Sequence, residues 1–294
     1  MLTNWKTSPT VALIALIGVC AAWGGTFLAM QRAIAKVPVL DFLAIRFTVA
    51  ALVMIAFRPV VLRRFSREQL KHGFLLGLAL GAGYITQTYG LLYASATVSG
   101  FITGMFVVLT PLISWIILRK NINRKNWLAV ILATVGLAFL SLRGWAVGPG
   151  EVLTLACAIF FAIHIVGLGE WSVKHDAYNL AVLQIGTVAV VTLLAASPDG
   201  ITLPPDAGIW GIVALTAILA TALAFLVQTW AQSLLSPARA AVIMTMEPVF
   251  AGFFGVLIGG NTITVQIIVG AVCILAAMLL VTLKNPTAPL KIQK

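Results

Sequence analysis

Residues 10–34 read TVALIALIGVCAAWGGTFLAMQRAI, with no charge until Arg32. A helix rises about 1.5 Å per residue, so such a run spans a hydrocarbon layer roughly 30 Å thick while bonding every backbone amide within its own segment. Residues 206–231 show the same pattern behind Asp206. Working outward from these two stretches, an apolar run of spanning length recurs roughly every twenty-five residues. Spans are predicted at 10–34, 39–57, 73–94, 97–118 and 127–142, then at 150–168, 177–196, 206–231, 239–259 and 264–283. The expected fold is all-α and integral to the membrane, with ten transmembrane helices.

Composition points the same way. Of 294 residues, 61% are hydrophobic and 9% charged, and the mean hydropathy of +1.07 leaves no material for a solvated domain. Binding is therefore expected inside the helix bundle. A net charge of +11 raises the question of nucleic acid, but the basic residues sit in short runs between apolar segments, where anionic lipid headgroups meet them. No nucleic-acid partner is expected; the lipid bilayer is the partner. Lys6 before an apolar run ending near Cys20 resembles a signal peptide, yet the run continues past Met30, so a retained helix is expected.

With a cytoplasmic N-terminus, the inward segments hold Lys6, Arg58, Arg63, Arg64, Arg67, Lys71, Arg119, Lys120, Arg124, Lys125, Lys174, Arg239, Lys284, Lys291 and Lys294. That is fifteen of the nineteen Lys and Arg; Arg32, Lys36, Arg46 and Arg143 remain. Positive residues resist translocation, so both termini are expected on the cytoplasmic side of a bacterial inner membrane. Cys20, Cys157 and Cys273 lie in apolar segments without a second Cys or His at ligand spacing, so no disulfide, metal or cofactor is expected.

Each half has five spans, and an odd number forces related halves into opposite orientations. Gln87-Thr88-Tyr89 in the third span is echoed by Gln228-Thr229-Trp230 in the eighth, and Thr110-Pro111 in the fourth by Glu247-Pro248 in the ninth. The division expected is one five-helix repeat in 1–145, an inverted one in 146–284, and a basic cytoplasmic tail in 285–294. Such halves surround a central cavity that opens alternately to each side, which makes transport the leading function.

Trp23-Gly24-Gly25-Thr26-Phe27 and Phe42-Leu43-Ala44-Ile45-Arg46-Phe47 resemble the opening of EamA-type proteins in the drug/metabolite transporter superfamily. Ser99 through Pro111 resembles the family's fourth helix, and Ser236-Pro237-Ala238-Arg239-Ala240-Ala241 with Glu247-Pro248 its ninth. The resemblance covers essentially the whole chain. It implies ten helices in two inverted halves, a central cavity, and export of small metabolites, often amino acids, aromatic ones included.

Candidate cavity residues follow from chemistry. Tyr84 and Gln87 lie three apart, and Phe225 and Gln228 repeat that aromatic-plus-amide spacing, offering stacking beside groups that meet a polar headgroup. Trp23 and Phe106 complete an aromatic wall, or else belong to the core. Glu247 lies about 12 Å deeper than Arg239 along the ninth helix. It reads either as a cavity acid receiving an ammonium or a proton, or as a packing acid beside Pro248. His164 reads as a hydrogen-bonded packing residue, with proton relay the alternative. For Arg46, snorkelling to the headgroups near Asp41 is favoured over binding a substrate carboxylate. Small residues four apart, Gly77 with Gly81, Gly100 with Gly104 and Gly255 with Gly259, read as helix-packing faces.

A membrane enzyme would need a polar cluster at one face; His164 has no acid near it in sequence, and His175-Asp176 stands alone in a loop. Channel filters are absent from the sequence. Phosphorylated solutes call for more deep cations than Arg46 alone. The expected function is a secondary transporter exporting small metabolites, most of all aromatic or large neutral amino acids, with other neutral metabolites or drugs as alternative substrates. A monomer or weak homodimer is expected.

Overall fold

The computed structural model describes residues 8–63, 65–94, 96–119, 124–141, 148–258 and 265–282. Among them all regular structure is helical: α1 (Pro9–Ile34), α2 (Val39–Phe57), α3 (Arg67–Gly90), α4 (Ala96–Thr103), α5 (Phe106–Leu118), α6 (Arg124–Ser141), α7 (Pro149–Trp171), α8 (Ala177–Ala196), α9 (Ala207–Ala217), α10 (Ala224–Leu234), α11 (Pro237–Met244), α12 (Met246–Leu257) and α13 (Val265–Thr282). Of the charge-sidedness pattern, Lys6, Arg64, Lys120, Arg143, Lys284, Lys291 and Lys294 lie outside the described residues, as do the 285–294 tail and Gly259.

The helix starts are written locally. Ser8 precedes Pro9 and accepts from the Val11 N–H, Ser66 accepts from Gln69, Asp176 from Asn179 and Asp206 from Ile209, each meeting one otherwise orphaned amide. Glu151 reaches back to the Gly148 N–H at 2.9 Å, closing the first turn of α7.

Among the described residues, six helical stretches are long and apolar enough to cross a membrane: Pro9–Ile34, Val39–Phe57, Pro149–Trp171, Ala177–Asp199, Ala207–Leu234 and Pro237–Leu257. Their outward faces carry Leu52, Phe57, Val190 and Leu194, exposed large apolar side chains that suit a lipid solvent. α3 is not among the six, because it opens on Arg67, Glu68 and Lys71 and carries Thr86, Gln87 and Thr88 near its end.

Three expected spans are not continuous α-helices. The fourth breaks at Gly104-Met105 between α4 and α5. The ninth breaks at Thr245, where the ring of Pro248 clashes with the carbonyl four residues earlier, that of Met244. The eighth passes through a π-helical turn, Ile218–Leu223, between α9 and α10.

Packing pairs early helices with late ones. α3 lies on α7 and α8, while α10 and α9 lie on α1 and α2 respectively; α5 packs on α7, α12 on α1, and α6 on α13. Glycines permit the closest approaches. A Cβ on Gly24 would lie 2.6 Å from the Glu247 carbonyl oxygen and 2.7 Å from the Ala251 nitrogen, so α1 and α12 meet backbone to backbone. Gly77 plays the same part for α3 against Gln184 and Thr187 of α8.

Candidate substrate cavity

Residues flanking the helix breaks, Phe106, Met244 and Glu247, line a cavity of about 500 Å³, its open side included, and the π turn holds two more of its lining side chains. In the π turn, Thr221 donates to the Thr216 carbonyl at 2.8 Å, five residues back. The widened turn leaves the Ala220 carbonyl free to accept from Trp23 Nε1 at 2.8 Å and from Arg46 Nη2 at 3.5 Å. Phe106 is the first residue of α5 after the Gly104-Met105 break, and Glu247 the second of α12 after Thr245. Interrupting a helix costs backbone hydrogen bonds, and in membranes such breaks occur where they line a cavity.

All the candidates reach this space. Trp23, Arg46, Tyr84, Gln87, Phe106, His164, Phe225, Gln228 and Glu247 all line it, from seven different helices. Tyr84 and Phe225 face each other at 6.0 Å between ring centroids, Trp23 lies 5.4 Å from Phe225, and His164 meets Phe225 edge-on at 6.1 Å. A single constant offset along the chain relates Trp23 to His164, Tyr84 to Phe225, Gln87 to Gln228 and Thr103 to Met244. The contacts follow that offset: Gln87 Nε2 donates to Thr103 Oγ1 at 3.1 Å, and Gln228 Nε2 approaches Met244 Sδ at 3.5 Å.

The polar groups divide into satisfied and unsatisfied ones. His164 Nε2 donates to Gln184 Oε1 at 2.6 Å, and Gln184 Nε2 donates onward to Thr229 Oγ1 at 2.8 Å, so this proton is held in a packing network. Gln228 Nε2 donates to Gln232 Oε1 at 3.0 Å, while its own Oε1 is buried without a donor. Among the described residues, Glu247 is 8% exposed and has no ion pair or hydrogen-bonding side chain.

Arg46 departs from the favoured snorkelling reading. It is 1% exposed and directed into the bundle, with Nε donating to Thr221 Oγ1 at 2.8 Å and the guanidinium 4.9 Å from the Tyr84 ring centroid. Asp41 is engaged elsewhere, accepting from the Thr202 N–H at 2.9 Å. Its partners among the described residues are neutral: Thr221, Met30 Sδ, the Ala220 carbonyl and the Tyr84 side chain. Its charge is uncompensated among the described residues.

Sequence reading missed Phe161, Met30, Met244 and the π turn. Phe161, which meets Tyr84 at 5.4 Å, lies one helical turn before His164, and that spacing alone could have flagged it. Nothing in residues 218–223 announces a π turn.

Ion pairs among the described residues tie early and late segments at the ends of the helices. Lys36 meets Asp206 at 2.8 Å and Arg58 meets Asp176 at 3.2 Å. The hydrogen bond from Lys36, with that from the Ile209 amide, holds the Asp206 carboxyl below its usual range. Beside Asp176, His175 is not alone as its loop position suggested: it meets His72, and burial pushes both imidazoles below their usual value.

The EamA-like transporter family model matches residues 10–142 and again 148–283. An uncharacterized transporter of Archaeoglobus fulgidus is 33% identical over 275 residues, covering 93% of this chain and 85% of its own. The threonine/homoserine exporter RhtA of Escherichia coli K12 is 26% identical over 274 residues, covering 90% of this chain and 89% of its own. A solved crystal structure superposes with a TM-score of 0.77 at 17% identity, over 93% of this chain and 97% of that one, a likeness of fold. The chain is a membrane transporter that belongs to the EamA-like family.

Proposed function

We propose that this transporter exports amino acids, using ten spans arranged as two inverted five-helix repeats, 1–145 and 146–284, that rock about the central cavity. The observation that carries the substrate class is electrostatic. Among the described residues, one aromatic cavity is lined by a guanidinium without a carboxylate, a carboxyl without a cation and a glutamine whose buried amide oxygen has no donor: Arg46, Glu247 and Gln228. Burying uncompensated charge is costly, and a zwitterion supplies both missing partners at once. Its carboxylate meets Arg46, its ammonium meets Glu247 and Gln228, and Trp23, Tyr84, Phe106 and Phe225 enclose an apolar side chain.

The inverted arrangement is supported by the two matched stretches, by the constant offset relating cavity residues, and by the exchange of packing partners between early and late helices. Export from the cytoplasm, with both termini on that side of the inner membrane, is supported by the basic-residue bias and by the naming of RhtA as an exporter. His164 is a packing residue in this reading, so transport down a gradient needs no proton relay.

Labelled amino acids, aromatic and threonine-like, in proteoliposomes with and without a pH gradient test the reading. Saturable flux of at least one supports it. Absence of flux for every amino acid, with flux of neutral drugs instead, overturns it.

A further inference from the structure

Among the described residues, one set of donor atoms converges outside the cavity without a function. His72 lies one turn after Glu68 on α3, so both side chains rise from the same helix face. His175 comes from the connection between α7 and α8, yet its Nε2 lies 2.8 Å from His72 Nδ1, and the Glu68 carboxylate oxygen lies 4.0 Å from that same Nδ1. The three donor atoms all fall within 4.8 Å of one another. Trp171 stacks on the His72 ring at 4.3 Å with an interplanar angle of 1°, which fixes the imidazole plane and the direction of Nδ1. Glu68 is 63% exposed, so the cluster is open to water.

We propose that Glu68, His72 and His175 form a site for a divalent d-block ion, with Zn2+ the best fit and water completing its coordination. Two imidazole nitrogens and one carboxylate oxygen are an accepted zinc tripod, with bonds of about 2.0–2.2 Å. Such bonds place donor atoms about 3.3 Å apart in a tetrahedron. With His72 held by Trp171, rotation of His175 that parts the two nitrogens slightly and of Glu68 inward reaches that geometry. Lys71 and Lys174 are the neighbouring cations, and Glu68 offsets one of them. The ion is thus held by nitrogen coordination rather than by charge, which disfavours Mg2+ and Ca2+. α3 lies before residue 145 and the α7–α8 connection after it, so a bound ion bridges the same junction as Arg58–Asp176. Under the rocking motion proposed above, on which this consequence alone rests, the ion locks that end.

Purified protein in detergent is titrated with Zn2+, and with Co2+ for its visible spectrum. One ion binds per chain at micromolar concentration and raises the melting temperature, and Co2+ gives the bands of a mixed nitrogen and oxygen site. His72→Gln, His175→Gln and the surface change Glu68→Gln each weaken binding by about tenfold or more. Should a histidine variant fail to fold, Zn2+ protection of wild-type His72 and His175 from diethyl pyrocarbonate reads the same site. No binding by the wild type up to millimolar Zn2+, or binding that survives both histidine changes together, overturns the site. Flux unchanged at saturating Zn2+ overturns the lock. Binding is read without substrate, so a failed transport assay leaves it standing.

Discussion

Arg46 and Thr221 are joined by a 2.8 Å hydrogen bond from Nε to Oγ1, both side chains buried, and Thr221 is itself anchored to the Thr216 carbonyl. The guanidinium is therefore oriented by the π turn rather than by a counter-ion. With Tyr84 under its face and the cavity beside it, it is the group that the proposed substrate's carboxylate would meet.

Removing that charge is expected to cost carboxylate recognition. A hydrogen bond to a charged group contributes about 1.5–3 kcal/mol, so Arg46→Gln lowers amino acid flux by roughly ten- to a hundredfold. A decarboxylated amine analogue is carried as well by the variant as by the wild type. Arg46→Lys does not rescue, because a lysine has no Nε–H to keep Thr221 while still presenting a planar fork. Competition between amino acid and amine in liposomes checks this.

Glu247→Gln tests the opposite pole. The amide keeps the shape and removes an ionisable group that has no partner among the described residues, so the melting temperature in detergent holds or rises. The apparent KM for amino acids increases, while that for N-acylated analogues does not change. Equal increases for both would remove the ammonium assignment.

Gly24 and Gly18 lie on the same helix and should respond oppositely to alanine. At Gly24 the new methyl meets backbone atoms of α12 at 2.6 and 2.7 Å, whereas nothing lies within 4 Å of one at Gly18. Gly24→Ala is expected to destabilise by about 1–3 kcal/mol and to push the α12 backbone at Glu247 away from α1. Gly18→Ala is expected to be neutral or to stabilise by up to about 1 kcal/mol. Thermal unfolding of the two variants decides.

Bridging either end should stop a rocking transporter. With Cys273→Ser as background, since Cys20 and Cys157 are buried, a short bismaleimide across Lys36→Cys and Asp206→Cys arrests flux, and so does one across Arg58→Cys and Asp176→Cys. Full flux with either bridge complete would exclude motion at that end.

Acid dependence of the Lys36–Asp206 contact follows from the lowered carboxyl. The unfolded chain binds a proton on Asp206 more readily than the folded one, so the contribution is whole above the ordinary value of 3.8 and fades as pH falls through the lower folded value. The melting difference between wild type and Asp206→Asn is therefore constant from about pH 8 to about pH 5. It disappears only on stronger acidification, and high salt weakens it at every pH.

Much of the layout was legible because lipid demands length. Residues 39–57 and 177–196 coincide with α2 and α8, and the pairing of Tyr84-Gln87 with Phe225-Gln228 announced two faces of one cavity. The breaks were less visible: Pro248 accounts for the interruption at Thr245, but Thr221 bonds five residues back for reasons of packing, not composition. Arg46 shows the limit most clearly. Its depth along α2 was readable, its direction was not, and snorkelling toward Asp41 was the wrong choice between two faces of the same helix. His72 and His175 are likewise silent in sequence, because the loop that joins α7 to α8 is brought to α3 only by helix packing.

The order of residues alone determined an all-helical membrane chain, the places where helices start, and the bias of positive charge. Those properties are local, set by hydropathy over one span and by capping groups within one turn. What tertiary structure decided is which side of each helix looks inward. A segment apolar on every side carries no inner face of its own in lipid, so the cavity emerges only where Gly24 lets α1 touch α12, Gly77 lets α3 touch α8, and Arg46, Thr221, His164 and Gln184 find one another across the bundle.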